Sequence, residues 1–201
     1  MKIGIMGGTF NPIHNGHLTL ASAALTQYAL DEVWFMPSGL PAHKSNTELL
    51  PANIRLSMAE LAIAGQKGFT ASSFEIDRKG FTYTADTMTA LAEEYPEDTF
   101  FFIIGGDSLM KFHHWVKPEV ISKYAVLLAA GRDGYSKEQL EEQEEQLRRK
   151  FGTKVLFLDM PEVKISSHEI RDFCKRGQYQ EIRPYVPEPV WDFMIENRLY
   201  Q

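Results

Sequence analysis

Two histidines three residues apart, His14 and His17, stand in the opening run MKIGIMGGTFNPIHNGH with Gly16 between them. An imidazole donates a hydrogen bond when neutral and adds positive charge when protonated, so this pair can address one bound group together. A short apolar run, Ile3–Met6, precedes them and ends in Gly7 and Gly8, and a helical pattern follows. The arrangement reads as strand, glycine-rich turn and helix start. A helix start gathers unpaired backbone N–H groups at the positive end of the helix dipole. Such an end favours an anion, phosphate above all. Gly7 and Gly8 are expected to let a ligand approach the backbone closely. Asn15 is expected to cap the helix. Neither G-x-G-x-x-G nor G-x-x-x-x-G-K-[ST] is present, so the turn is neither a dinucleotide fingerprint nor a P-loop.

A second element is ISSHEIR, Ile165–Arg171. Ser166 or Ser167 can cap the helix that follows, and Ser166 as N-cap puts Glu169 at N3 for a capping box. The same helix end could bind phosphate through Ser166 and Ser167, with Arg171 one turn on to make forked, charge-assisted bonds. Lesser candidates lie between. His43–Lys44 in LPAHKS offers a cation, and Asp107 in GGDSL offers a ribose or metal ligand or a plain N-cap. Trp115 could stack on an aromatic ring or belong to the core. Tyr83–Thr84, in FTYTADT, opens a helix that could present N–H groups to an anion. Zinc held by His14 and His17, with His113 and His114, is a competing reading. One cysteine and no H-E-x-x-H motif weigh against it. No G-x-S-x-G elbow supports an esterase.

The elements that must carry these residues alternate. Strands are expected at Ile3–Met6, Glu32–Met36, Thr70–Ile76, Thr99–Ile104, Ala125–Ala129 and Lys154–Leu158. Helices are expected at His17–Tyr28, Ala52–Ala64, Thr84–Glu94, Pro118–Lys123, Ser136–Phe151, His168–Lys175 and Pro189–Glu196. Phe100–Ile104 and Val126–Ala129 are continuous apolar runs, as strands buried on both faces are. The fold class is therefore α/β, a doubly wound open parallel sheet with a small C-terminal helical addition. Residues 1–160 would form the α/β core and residues 161–201 a helical subdomain carrying ISSHEIR, packed on it as effectively one domain. Ligands of such sheets sit at the carboxyl ends of the strands, where the glycines, polar groups and cations named above cluster.

With 201 residues, 44% of them hydrophobic, the chain can bury a core unaided. Its single cysteine, Cys174, leaves no internal disulfide. The opening apolar run is too short for a signal peptide, and no run reaches a membrane span, so a cytoplasmic protein is expected. A net charge of −6 argues against a nucleic-acid partner. Much of the acid lies in Glu138–Glu145, read as the solvated face of one helix whose basic end follows at Arg148–Lys150.

GGTFNPIHNGH, PAHK, FTYTADT, FFIIGGDSL and ISSHEIR, in this order and spacing, resemble bacterial nicotinate-nucleotide adenylyltransferases over nearly the whole chain. The resemblance implies a Rossmann-like nucleotidyltransferase fold. It also implies transfer of the adenylyl group of ATP to nicotinate mononucleotide, giving deamido-NAD and pyrophosphate without a covalent enzyme intermediate. His14, His17, Lys44 and Arg171 would be catalytic. Gly7, Gly8, Thr9, Phe10, His17, Gly105, Asp107, Arg132, Ser166, Ser167 and Arg171 would bind ATP. Asn11, Lys44, Tyr83, Thr84 and Trp115 would hold the mononucleotide. Mg²⁺ would arrive with ATP, with no dedicated metal ligands in the protein. Neither nucleic acid nor membrane is an expected partner, and a homo-oligomer stays open. Position 11 is Asn where Asp is frequent, which removes a carboxylate near the phosphates, and His168, where Thr is frequent, has no assigned role. Three alternatives stay open. They are the same chemistry on the amidated mononucleotide or phosphopantetheine, a nucleotide-binding regulator without turnover, and an aminoacyl-tRNA-synthetase fragment.

Overall fold

The computed structural model describes residues 1–41, 48–131, 134–161 and 164–201. Six parallel strands form the main sheet: β1 (Lys2–Gly8), β2 (Glu32–Pro37), β4 (Phe69–Ala71), β6 (Thr99–Ile104), β7 (Ala125–Ala130) and β8 (Val155–Leu158). Their order is β4-β2-β1-β6-β7-β8. The chain reverses direction across the sheet between β1 and β6, which makes their carboxyl ends the topological switch point. Two short strands, β3 (Leu40–Pro41) and β5 (Phe81–Thr82), pair in parallel beside it. This small sheet has no signature in the sequence, because two residues show no periodicity.

The helices cover both faces. One apolar layer joins α1 (Asn15–Gln27) and α2 (Ala52–Ile63) to the C-terminal helices α7 (Ser167–Lys175), α8 (Tyr179–Ile182) and α9 (Glu188–Glu196). Ile170, Cys174, Val190 and Met194 are buried with Phe35 and Met58 in that layer. The other layer joins α3 (Thr84–Glu94), α4 (Gly106–Lys111), α5 (Pro118–Tyr124) and α6 (Lys137–Phe151). Apolar residues on both faces of β1, β6 and β7 explain their unbroken hydrophobic runs.

Most boundaries lie within a residue or two of expectation. The run Thr70–Ile76 differs, since only Phe69–Ala71 pairs as a strand. Ser72 and Ser73 end it, as Ser72 Oγ accepts from the Phe74 amide and Ser73 Oγ donates to Asp77. Serine hydroxyls offer the backbone a turn in place of a ladder. In α6 the glutamates stand on the exposed face while Leu140, Gln143 and Leu147 are buried, and Ser136 with Gln139 forms a capping box.

Candidate active site

The turn after β1 places both histidines at the start of α1. The N-cap is His14, not Asn15. His14 Nδ1 accepts from the Gly16 amide (3.2 Å), and His17 Nδ1 accepts from the His14 amide (3.2 Å). This is a capping box built from two imidazoles. A ring that accepts at Nδ1 carries its proton on Nε2, so the box fixes both rings in the tautomer that donates from Nε2. The rings stack with centroids 3.8 Å apart. His14 is 8% exposed, and burial lowers its pKa to about 4, so it is a neutral donor at neutral pH. Asn15 instead donates to Pro184 O (3.0 Å).

The loop ahead of the histidines is held from below. Phe10 has φ +48°, a left-handed value that costs a non-glycine residue on the order of 1 kcal/mol. That turn buries its ring, 1% exposed, edge-on beneath His17 with centroids 5.0 Å apart. Phe10 therefore backs the imidazole, and its ring is not open to ATP. Packing also explains the glycines. A Cβ on Gly7 would lie 3.1 Å from the Phe102 ring, and one on Gly8 would lie 3.0 Å from Phe10. Ring contacts by themselves exclude side chains there, and both glycines also line the cavities at the strand ends.

Asn11 is a structural clasp, 5% exposed. Its Nδ2 donates to Glu48 O (2.9 Å), and its Oδ1 accepts from Leu50 N (3.3 Å) and the Tyr200 hydroxyl (2.9 Å). Its oxygen is taken by two donors, which leaves it no lone pair for a metal, and one of its two amide N–H groups is spent on Glu48 O. Asn also suits the place better than Asp, because Glu48 O needs a donor. Arg55, which sequence reasoning missed, is 1% exposed. It donates to four carbonyls: Leu50 (3.0 Å), Thr9 (2.7 Å), Ser38 (2.6 Å) and Gly39 (3.0 Å). One buried guanidinium thus ties the loops after β1 and β2 together. Its only signal was a cation set among apolar positions of α2.

ISSHEIR docks against this loop from the far end of the chain. Ser166 is the N-cap of α7 and shares a capping box with Glu169. Ser167 Oγ donates to Pro12 O (2.8 Å), and Arg171 donates to Asn11 O (2.9 Å) and Ser167 O (3.0 Å). Glu48 pairs with Arg171 (3.5 Å) and with Lys175, whose ammonium and the guanidinium together hold its carboxyl below the usual range. The two motifs, some 150 residues apart in sequence, are one surface here. His43, Lys44 and Arg132 lie outside the described residues.

Two cavities open at the switch point. The first, of about 280 Å³, runs from Gly7, His14 and His17 past Ile104 and Gly105 to Ala130 and Ile165. The second, of about 680 Å³, lies between Gly8, Thr9, Ser38, Glu75, Tyr83, Thr84, Lys111 and His114. Gly7, Phe102, Ser108 and Trp115 line both. Trp115 is half-buried, with its ring against Phe102 (6.0 Å) and Phe112 (5.4 Å). The ring packs as a core residue does and also lines both cavities. Tyr83 is the N-cap of α3 without a side-chain cap, so the first amides of that helix have no capping side chain beside the second cavity. Asp107 is exposed, sits at N2 of α4 rather than at its cap, and accepts from the Tyr135 hydroxyl (2.7 Å). Among the described residues, no three His, Cys, Asp or Glu side chains cluster to hold a metal. No described helix is long and apolar enough to cross a membrane.

Known proteins match this architecture. A family model described as cytidylyltransferase-like matches residues 5–173. A relative from Lachnoclostridium phytofermentans named probable nicotinate-nucleotide adenylyltransferase is 43% identical over 99% of this chain and 98% of its own. One of the same name from Clostridium acetobutylicum is 38% identical over the same shares. A structure of the Plasmodium falciparum nicotinic acid mononucleotide adenylyltransferase complexed with NaAD superimposes with a TM-score of 0.79, at 22% identity, covering 99% of this chain and 97% of that one. That likeness carries the fold, and the closer relatives carry the kinship. The chain belongs to the nicotinate-nucleotide adenylyltransferase family, with the Rossmann-like nucleotidyltransferase fold.

Proposed function

We infer that the chain transfers the adenylyl group of ATP to nicotinate mononucleotide, giving deamido-NAD and pyrophosphate in NAD biosynthesis. The observation that carries this reading is the pair of cavities with a common wall. A two-substrate transfer needs both substrates bound side by side, with the reacting atoms meeting at the shared boundary. The first cavity takes ATP, with its phosphates toward His14 and His17. The second takes the mononucleotide, with its ring against Trp115 and its carboxylate on the amides of Tyr83 and Thr84. The 5′-phosphate attacks the α-phosphorus in line, with no enzyme nucleophile. His14 and His17, donating from Nε2, stabilise the charge that develops on the transferring group. Ser166, Ser167 and Arg171 meet the leaving pyrophosphate, while Gly105 and Asp107 face the adenosine. Lys44 supplies a further cation.

Mg²⁺ bound with ATP would neutralise charge on its phosphates. The Asn11 oxygen, already accepting from Leu50 N and the Tyr200 hydroxyl, would not serve it as a ligand. The enzyme works in the cytoplasm. The test is chromatographic identification of the product formed from Mg-ATP with each of three acceptors: the acid mononucleotide, its amide and phosphopantetheine. Deamido-NAD as the dominant product supports the reading. A dominant product from either other acceptor overturns it in favour of the same chemistry on that acceptor.

A further inference from the structure

Glu75 is a carboxyl that the proposed reaction does not use. It lines the second cavity, yet it is only 8% exposed. It lies on the turn that cuts β4 short, and a Cβ on Gly39 would stand 2.5 Å from its carbonyl oxygen. The residue is therefore wedged between the loop after β2 and helix α3. Its Oε1 accepts from the Thr87 hydroxyl at 2.7 Å.

That hydroxyl also lies 3.2 Å from Tyr83 O. A hydroxyl has one proton and cannot serve both acceptors. When Glu75 is ionised, Thr87 donates to it. When Glu75 carries a proton, it can donate to Thr87, and Thr87 donates onward to Tyr83 O. The charge of Glu75 is thus tied to the first turn of α3, whose residues Tyr83 and Thr84 line the same cavity. Thr87 and Thr84 are three residues apart, about one helical turn, so an anion on the Thr84 amide would share that turn with the hydroxyl that Glu75 accepts from. Two carboxylates so placed in a recessed site do not both stay ionised without cost.

Resting on the proposed function, we propose that Glu75 is the charge selector of the mononucleotide pocket: it holds a proton when the acid form binds and need not when the amide binds. Binding of the acid form then takes up a proton, and the preference for acid over amide falls as pH rises. Both mononucleotides carry the same 5′-phosphate, so its titration cancels in the comparison. Burial already pushes the Glu75 carboxyl above the usual range, against the Thr87 and Thr82 hydroxyls and the charges of Arg78 and Arg55. Lys111, His114 and Tyr83 are the other ionisable groups lining the cavity among the described residues.

The test measures proton uptake by calorimetry, in buffers of different ionisation enthalpy, as each mononucleotide binds the wild type, Glu75→Gln and Thr87→Val. The acid-to-amide ratio of kcat/KM is followed over the same pH range. In the wild type, the acid form should take up more protons than the amide, and the ratio should fall by up to about tenfold per pH unit. Glu75→Gln should abolish the difference in uptake and flatten the ratio. Thr87→Val removes a bond that favours the ionised carboxyl, so the fall should begin at higher pH. His114→Gln tests the imidazole in the same wall: loss of the dependence in that variant, with the dependence kept in Glu75→Gln, would overturn the selector. Equal uptake for both ligands in the wild type, or unchanged pH dependence in Glu75→Gln and Thr87→Val, would overturn the selector alone. A wild type that uses neither mononucleotide would overturn the proposed function and the selector with it.

Discussion

The two cavities share a wall but are built in opposite ways. The histidine turn is local: every bond that orients His14 and His17 in its capping box spans two or three residues. The second cavity is assembled from the loops at Ser38 and Glu75, the start of α3, and the segment from Ser108 to Trp115. The local site stays formed wherever the α1 N-terminus is formed. The dispersed one depends on the core and on buried polar clasps such as Arg55 to hold its segments in place. Substitutions in the first should therefore cost chemistry more than stability. Substitutions in the clasps should do the reverse.

The largest effect should follow from His17→Ala. It removes an Nε2 donor from the transferring group and should lower kcat/KM by on the order of 10²–10⁴-fold. Loss of its part in the cap should cost only about 1 kcal/mol. Steady-state kinetics beside a denaturant melt would separate the two, and a near-normal kcat/KM would break the comparison.

Arg55→Met should do the opposite. It leaves carbonyls of Thr9, Ser38, Gly39 and Leu50 without their donor, a loss of roughly 3–5 kcal/mol in urea unfolding. A variant as stable as the wild type would show that the clasp carries nothing.

His14 links the local site to pH. Its folded-state value of about 4 lies below the ordinary 6.5, so between these values the unfolded chain binds the extra proton. The stability from keeping the ring neutral is complete above pH 6.5. It is lost as pH falls toward 4, by roughly 3 kcal/mol in all. His14→Asn, which can still cap, should lack this part of the acid sensitivity. Parallel stability curves for the two proteins would contradict the burial argument.

Tyr200→Phe should have the smallest effect. It removes one hydrogen bond to Asn11, worth about 1 kcal/mol. A change in kcat much larger than the change in stability would show that the C-terminal residues act on the phosphate loop directly.

The same contrast explains what the sequence could disclose. The Rossmann-like sheet was legible because buried strands and amphipathic helices repeat over many residues. The tie between Ser166 and Glu169 was legible because both ends of the capping box lie within one turn. That His14 rather than Asn15 caps α1 was not, since imidazole caps are uncommon and Asn is a common cap. The family resemblance assigns Phe10 to ATP and Asn11 to the mononucleotide. Only the folded chain shows one ring turned under His17 and one amide spent on Glu48, Leu50 and Tyr200. Arg55 and Glu75 left no motif, because their partners are backbone carbonyls or a hydroxyl brought in by tertiary packing.

The most direct test of the central claim is pyrophosphate release from Mg-ATP under three conditions: with nicotinate mononucleotide, with its amide and with no acceptor. Two adjoining pockets and a single in-line transfer predict steady turnover with the acid form and no burst without acceptor, and a carboxylate seat at Tyr83 and Thr84 predicts weaker turnover with the amide at neutral pH. A stoichiometric burst without acceptor, or equal turnover with both mononucleotides, would contradict the account.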